Sequence, residues 1–154
     1  MIKPLFLIFI LTSILLVSCN NNDIVLTHKF EHNRWNALHK VQLQSHIADS
    51  EIAYKMTLNI KIDDKFNSDD FSISLSQIND DGESRYYSYV LPIKDKRGDF
   101  LLKKANDGFY NYELVLHKHT SFYSDSIYHF DFNSMMSKLY INGIYELKLN
   151  IKEL

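Results

Sequence analysis

Two histidines separated by a single residue, His117 and His119, are the first candidates for chemistry in this sequence. On a β-strand, both imidazoles would point to one face about 7 Å apart, which is a spacing that a metal ion can bridge. A third ligand would have to come from elsewhere, for example from Asp125, His129 or Asp131. We favour the alternative, a polar strand end that faces solvent, and we predict neither a metal site nor a cofactor.

Paired acidic residues are the second candidates. They occur as Asp63-Asp64, Asp69-Asp70 and Asp80-Asp81 in segments that read as turns, where aspartate stabilises the bend. Calcium loops usually place carboxylates at alternate positions, so these pairs fit a structural role better than a Ca²⁺ site. The sequence contains no Ser-centred elbow, phosphate-binding glycine loop or HExxH motif. Without a convergent nucleophile, base and acid, we do not expect an enzyme.

Aromatic residues offer a third kind of chemistry, which is the stacking of sugars. The chain has ten Tyr, ten Phe and one Trp, and exposed tyrosines on a sheet can form a platform for a glycan. Tyr86, Tyr87, Tyr89 and Tyr110 are the candidates, although strand alternation should place half of any such set in the core. Trp35 fits a plug at one end of the fold better than a ligand contact.

The remaining candidate is the only cysteine, Cys19, which follows an apolar run from Leu5 to Val17. A basic residue followed by about a dozen apolar residues is typical of a secretory signal peptide, and the run is too short to span a bilayer. Leu16-Val17-Ser18-Cys19 resembles the bacterial lipobox, in which the cysteine thiol is acylated and the preceding peptide is removed. We therefore predict a lipoprotein signal peptide over 1–18, and a lipid anchor and tether over 19–22.

Length and charge limit the other possibilities. The 154 residues include 17 Lys+Arg and 19 Asp+Glu, and removal of residues 1–18 deletes Lys3, which leaves a net charge of −3. This balance argues against a nucleic-acid partner. One cysteine excludes a disulfide framework. The remaining length, 23–154, suits one domain.

Alternation of apolar and polar residues dominates that domain, and it is clearest from Ile52 to Ile62. Further alternating or apolar segments predict eight or nine short strands, and the only segment that reads as helical is Ser134–Leu139. Short strands separated by turns are typical of an antiparallel β-sandwich, here of a jelly-roll-like kind. The predicted strands lie near Ile24–Phe30, Lys40–Ile47, Ile52–Ile62, Phe71–Ser76, Tyr87–Ile93, Tyr110–Leu116, Tyr128–Phe132 and Ile144–Ile151.

The last third of the chain resembles the end of the GldH gliding-motility lipoproteins of Bacteroidetes. The resemblance lies in Tyr128–Met136 and Ile141–Leu149, which match a strand, a short Met-containing helix, a Gly-Ile turn and a final strand. Earlier elements occur in the matching order: Cys19, Trp35 with Val41 and Leu43, the strand Tyr54–Ile60, and Leu91–Gly98 leading to Phe100. Met136 and Lys61–Lys65 replace positions where the family tends to carry arginine, so the chain resembles a distant member.

This resemblance implies a lipid-anchored, non-catalytic component of the gliding and type IX secretion machinery. The expected partners are the membrane, through palmitate-type acyl chains on Cys19, and proteins of an envelope complex. The expected location is the cell envelope, with the outer membrane favoured over the inner. The alternative function is a carbohydrate-binding β-sandwich module of the envelope, which would use exposed tyrosines.

Overall fold

The computed structural model describes residues 23–48, 51–123 and 125–154. The predicted signal peptide over 1–18, the lipid attachment residue Cys19 and the tether lie outside the described residues. Within them, ten β-strands and one 3₁₀ turn, Glu31–Asn33, make up the regular structure. The strands are β1 Ile24–Lys29, β2 Arg34–Asn36, β3 Val41–Ile47, β4 Tyr54–Ile62, β5 Asp70–Asn79, β6 Ser84–Pro92, β7 Tyr110–Thr120, β8 Ser126–Ser134, β9 Tyr140–Asn142 and β10 Ile144–Glu153.

The strands form three antiparallel sheets. Sheet A has the strand order β1-β10-β4-β7, and sheet B is a short ribbon in which β2 pairs with β9. Sheet C has the strand order β3-β8-β5-β6. The prediction of an all-β, antiparallel fold is therefore confirmed. The two larger sheets share one hydrophobic core, and contacts such as Tyr87 on β6 against His117 on β7 join them directly.

Strand alternation predicts the buried face correctly in β4. Met56, Leu58 and Ile60 are fully buried, while Lys55, Asn59 and Lys61 are partly accessible; Thr57, on the same side as these, is 8% exposed. In β10, Ile144 and Leu147 are both fully buried although they are three residues apart. A register shift between Ile144 and Glu146 explains this spacing, because a bulge adds one residue and restores the face.

The predicted helix over Ser134–Leu139 is wrong. Ser134 ends β8, and the next five residues form an irregular connection to β9. The amide of Met135 donates to the carbonyl of Ser72 on β5, and the Met136 sulfur accepts from the Ser72 amide at 3.3 Å. Lys138 donates to the Asn67 carbonyl. The segment is thus held by hydrogen bonds to neighbouring chain, which replace the i→i−4 bonds that a helix needs.

Tight turns and strand ends follow the local chemistry. Gly82 has φ +86°, and its amide donates to the Asn79 carbonyl, which closes the turn between β5 and β6. Pro92 is the last residue of β6, an edge strand, as expected for a residue without an amide donor. In the part of the chain that the structure describes, no helix has the length and apolar character needed to cross a membrane.

Candidate functional site

The structure separates the two histidines of the candidate metal site. Register shifts in the β4–β7 pairing break the alternation around them, so that His117 is opposite the buried Met56 while His119 is exposed. His117 packs edge-on against Tyr87, with ring centroids 4.4 Å apart. The Nε2 atom of His117 is buried and has no hydrogen-bond partner among the described residues. Burial lowers the pKa of His117, and the nearby charge of Arg85 lowers it further.

The predicted third ligands have other partners. Asp125 forms an ion pair with His46, with oxygen and nitrogen 2.6 Å apart. His129 lies 3.2 Å from a carboxylate oxygen of Asp80. Asp131 is nearly buried and accepts a 2.6 Å hydrogen bond from the Lys40 ammonium. Across the described ranges, no three His, Cys, Asp or Glu side chains are grouped so that they could hold a metal ion.

The aspartates Asp63 and Asp64 accept hydrogen bonds from other residues of the chain. Asp63 accepts from the Lys65 amide at 2.8 Å and from the Asn33 side chain at 2.8 Å. Asp64 is paired with the Lys104 ammonium and accepts from the Tyr110 hydroxyl at 3.0 Å. These two hydrogen bonds, the one from Lys104 first, lower the pKa of the Asp64 carboxyl. The pair Asp63-Asp64 therefore stabilises its own turn through Lys65 and also joins it to Asn33, Lys104 and Tyr110, which are distant in the sequence.

The four tyrosines do not form one platform. Tyr86 is 64% exposed on the outer side of β6, whereas Tyr87 and Tyr89 are partly buried on the inner side of the same strand. The Tyr89 hydroxyl donates to the Leu116 carbonyl of β7 at 3.3 Å, and burial raises the pKa of Tyr89 to about 12. Tyr110 stacks on Phe100 with centroids 3.9 Å apart. A sugar could reach only Tyr86 freely, so these side chains mainly join and cover the sheets.

Trp35 closes one end of the fold. It is 2% exposed, stacks on Phe30 with centroids 5.2 Å apart and contacts Phe71. Its indole N–H donates to the His39 carbonyl at 2.7 Å, which satisfies the single polar atom of the buried ring. The interpretation of Trp35 as a structural plug fits these contacts.

An exposed apolar surface, absent from the sequence analysis, lies beside this plug. We call it the distal patch and define it by Leu38, Leu139 and Tyr140, which are 78%, 50% and 44% exposed. The amide of residue 37 donates to the Leu139 carbonyl at 2.8 Å, which brings the two contributing loops together. The Arg34 guanidinium lies 4.6 Å from the centre of the Tyr140 ring. A contiguous group of exposed apolar side chains is typical of an interaction surface.

The sequence does not predict the distal patch, because the patch depends on the pairing of two very short strands. β2 and β9 have three residues each and pair in register as Arg34–Asn142, Trp35–Ile141 and Asn36–Tyr140. Three residues are too few to show alternation. The available signal was Leu38, an apolar residue that lies close to Asn36, His39 and Lys40 and outside any alternating run.

Comparison with known proteins identifies the family. The model of the GldH lipoprotein family matches residues 25–151, which reach from β1 to β10. The chain belongs to the GldH lipoprotein family. This GldH-family chain is therefore a lipoprotein of a family related to gliding motility, which implies membrane anchoring and a place in the cell envelope. No curated protein matches its sequence significantly.

The Gly-Ile turn of the GldH resemblance has a structural role in this chain. Gly143 connects β9 to β10 with φ +80°, a conformation that favours glycine. Its amide donates to the Asn33 carbonyl at 2.7 Å, and its carbonyl accepts from the Asp63 amide at 2.8 Å. Gly143 thus joins the 3₁₀ turn, the end of β4 and the start of β10 beside the distal patch.

Proposed function

We propose that this GldH-family chain is a non-catalytic interaction component of an envelope complex that serves gliding motility and type IX secretion. In this proposal residues 1–18 are a signal peptide, and acyl chains on Cys19 hold the protein at a membrane, for which we favour the outer membrane. Residues 23–154 form one β-sandwich domain of the jelly-roll kind, and the distal patch is its docking surface for a protein partner.

The observation that carries this proposal is the position of the distal patch relative to the point where the chain enters the fold. β1 begins at Ile24 opposite Ile151 and ends at Lys29 opposite Glu146. Six residues of strand span roughly 20 Å. The 3₁₀ turn and β2 follow directly, so the patch lies at the end of the domain remote from Ile24. An acylated Cys19 would leave that end free for a partner.

Membrane anchoring would compensate for the small size of the patch. Three side chains bury less area than a stable complex in solution needs, since standard interfaces bury about 800 Å² on each partner. Confinement to a membrane raises the effective concentration of a partner held in the same membrane, so that a weak contact can be occupied. A protein of this kind needs no catalytic group.

Complementation of a deletion strain tests the proposal. The variant Leu38→Ser with Leu139→Ser should support gliding and secretion poorly although it folds and is acylated. The matched control is Val90→Ser with Ile127→Ser, which removes two exposed apolar side chains, 63% and 39% accessible, from the outer face of sheet C. This control should restore both outputs. Full restoration by the patch variant would contradict the assignment of the docking surface.

A second strain tests the role of the anchor. A copy exported without acylation should restore gliding and secretion poorly even when its abundance matches that of the anchored protein, because the local concentration is lost. Normal gliding and secretion in the deletion strain itself would contradict the proposed function as a whole.

A further inference from the structure

Lysines are distributed unequally between the two large sheets. The strands of sheet A contain six lysines and three glutamates, whereas the strands of sheet C contain no lysine, one arginine and two aspartates. The difference is notable in a chain whose mature form is predicted to carry a net charge of −3. An excess of positive charge on one sheet is the electrostatic footprint expected for an anionic partner.

Most of these lysines point away from the core. They alternate with fully buried residues of β4 and β10, such as Met56, Leu58 and Leu149, so their side chains lie on the outer face. The acidic residues on this face include Glu113, the nearly buried Glu146 and Asp23, which lines a surface cavity together with Lys55 and Lys152. We call this surface the basic face and define it by Lys29, Lys55, Lys61, Lys148 and Lys152.

The protein neutralises part of the basic face, because Glu146 stands opposite both Lys29 and Lys61 in the strand registers. Lys61 is paired with Asp107 at 2.9 Å, but Lys55, Lys148 and Lys152 form no ion pair within the described residues. Lys55 stands directly opposite Lys152 in the β4–β10 register. Like charges directly opposite each other in a sheet are destabilising. An external anion would relieve this repulsion.

The start of β1, a few residues after the proposed lipid attachment site, would place this face near a membrane. β1 is an edge strand of sheet A, and it begins at Ile24, five residues after Cys19. Five extended residues reach at most about 17 Å. Lys152 lies on β10, which pairs with β1, and Lys55 lies on the next strand. Both are therefore at the end of sheet A where an acylated Cys19 would be held.

We propose that the basic face lies against the anionic lipid headgroups of the membrane that holds the anchor. This inference rests on the proposed acylation of Cys19. The anchor supplies attachment, and Lys55, Lys148 and Lys152 fix the orientation, with sheet A toward the lipid and the outer face of sheet C toward the aqueous side. The distal patch then lies to one side of the attachment point, at the height of a partner on the same membrane.

The test uses the acylated mature protein reconstituted in two kinds of vesicle, pure phosphatidylcholine and phosphatidylcholine mixed with phosphatidylglycerol. Acylation consumes the only native thiol, so Asn150→Cys places a single fluorescent label on the basic face, between Lys148 and Lys152. Ser88→Cys places the same label on the outer face of sheet C. Flotation with vesicles reports the anchor, and quenching by headgroup spin labels reports the orientation.

Quenching of the Asn150→Cys label, and not of the Ser88→Cys label, is expected in the anionic vesicles. Salt at about 1 M should reverse it, because the screening length falls to about 3 Å. The triple change Lys55→Gln, Lys148→Gln and Lys152→Gln should remove most of it, since each lysine near an anionic surface contributes about a fivefold preference. The charge-matched control replaces three exposed lysines outside the basic face by glutamine, namely Lys65, Lys96 and Lys103. This control should leave the quenching unchanged.

Two results would overturn the orientation while leaving the anchor intact. One is flotation with equal quenching of both labels, and the other is quenching that survives the triple substitution or is the same in neutral vesicles. Failure of the acylated preparation to float would instead contradict the proposed anchor, and the orientation with it.

Discussion

Gly143 and Phe66 approach each other so closely that a Cβ atom on Gly143 would lie 2.3 Å from the Phe66 backbone nitrogen. The contact sets the connection between β9 and β10 against the loop after β4, where the Phe66 side chain is 1% exposed. A backbone group cannot move aside as a flexible side chain can. The glycine of the Gly-Ile turn is therefore required by close packing as well as by its φ of +80°.

Gly143→Ala should destabilise the protein by roughly 3 kcal/mol, because it combines the strain of positive φ with a backbone clash. Gly98→Ala is the matched control, since Gly98 has φ +85° and nothing within 4 Å of the added Cβ. It should cost only about 1 kcal/mol. Chemical denaturation of both variants gives the comparison, and equal losses would show that the contact with Phe66 is unimportant.

Leu58→Asp should unfold the domain or cost about 4 kcal/mol or more, because it buries an unpaired charge. Leu58 is fully buried and stands between Leu114 and Leu149 in sheet A. Asn59→Asp, one residue further, points to the outer face between Lys148 and Glu113. Its side-chain oxygen is buried without a partner among the described residues, so the carboxylate should cost about 1 kcal/mol, far less than Leu58→Asp. Thermal denaturation gives the melting temperature of each variant. Similar melting temperatures would contradict the assignment of Leu58 and Asn59 to opposite faces of β4.

Stability should fall as the pH drops below about 6.5, and His117 should account for part of the loss. Its pKa in the folded state is lowered from 6.5, chiefly by burial and also by Arg85. The unfolded state then binds more protons in this range, so stability rises with pH and is fully present above pH 6.5. His28, whose pKa burial also lowers, should contribute in the same direction.

His117→Phe should flatten this pH dependence while keeping an aromatic ring against Tyr87. Its counterpart is His119→Phe, at the exposed end of β7, which should leave the dependence as in the wild type. Denaturation curves recorded between pH 5 and 8 measure the slope. A His117→Phe curve with the wild-type slope would exclude His117 as a contributor.

Cys19→Ser should abolish acylation and block removal of residues 1–18. Since the whole chain has a mass of 18.2 kDa, the retained 18 of 154 residues add about 2 kDa to the polypeptide. Metabolic labelling with an alkynyl fatty acid, followed by electrophoresis, measures both effects. Undiminished label in the variant would contradict Cys19 as the attachment site.

A glycan array probed with the protein should show no specific sugar binding, because Tyr86, Tyr87 and Tyr110 do not share a surface. Reproducible binding of one sugar class that Tyr87→Ala or Tyr110→Ala weakens would instead support the carbohydrate-binding alternative. Phe100→Ala offers a useful comparison, since it removes the stacking partner of Tyr110 without removing a proposed sugar contact.

The sequence by itself determined the class of fold and most of its strands. Alternation from Tyr54 to Ile62 and the Asn-Asp-Asp-Gly turn before β6 are local features, and a local pattern is enough to tell which side of a strand is apolar. The match to the GldH family rests on the same kind of information. The chemistry proposed for Cys19 also depends on adjacent residues alone.

Tertiary structure decided the features that depend on pairing between distant parts of the chain. β2 and β9 are too short to show a period, and each becomes a strand only because the other is its partner. Ser134–Leu139 lost the predicted helix because its backbone and side-chain groups bond to Ser72 and Asn67. Likewise, register shifts against β4 separated His117 from His119 and turned the first of them toward the core.

The basic face and the distal patch also depend on tertiary structure and cannot be found from the sequence pattern alone. Each lysine of the basic face is ordinary in the sequence, and the face exists only because β10 lies between β1 and β4. The distal patch likewise needs the loops around Leu38 and Leu139 to meet. A one-dimensional pattern reports which residues share a side of one strand. Which strands become neighbours is set by long-range hydrogen bonds and by packing, whose free energy belongs to the whole fold.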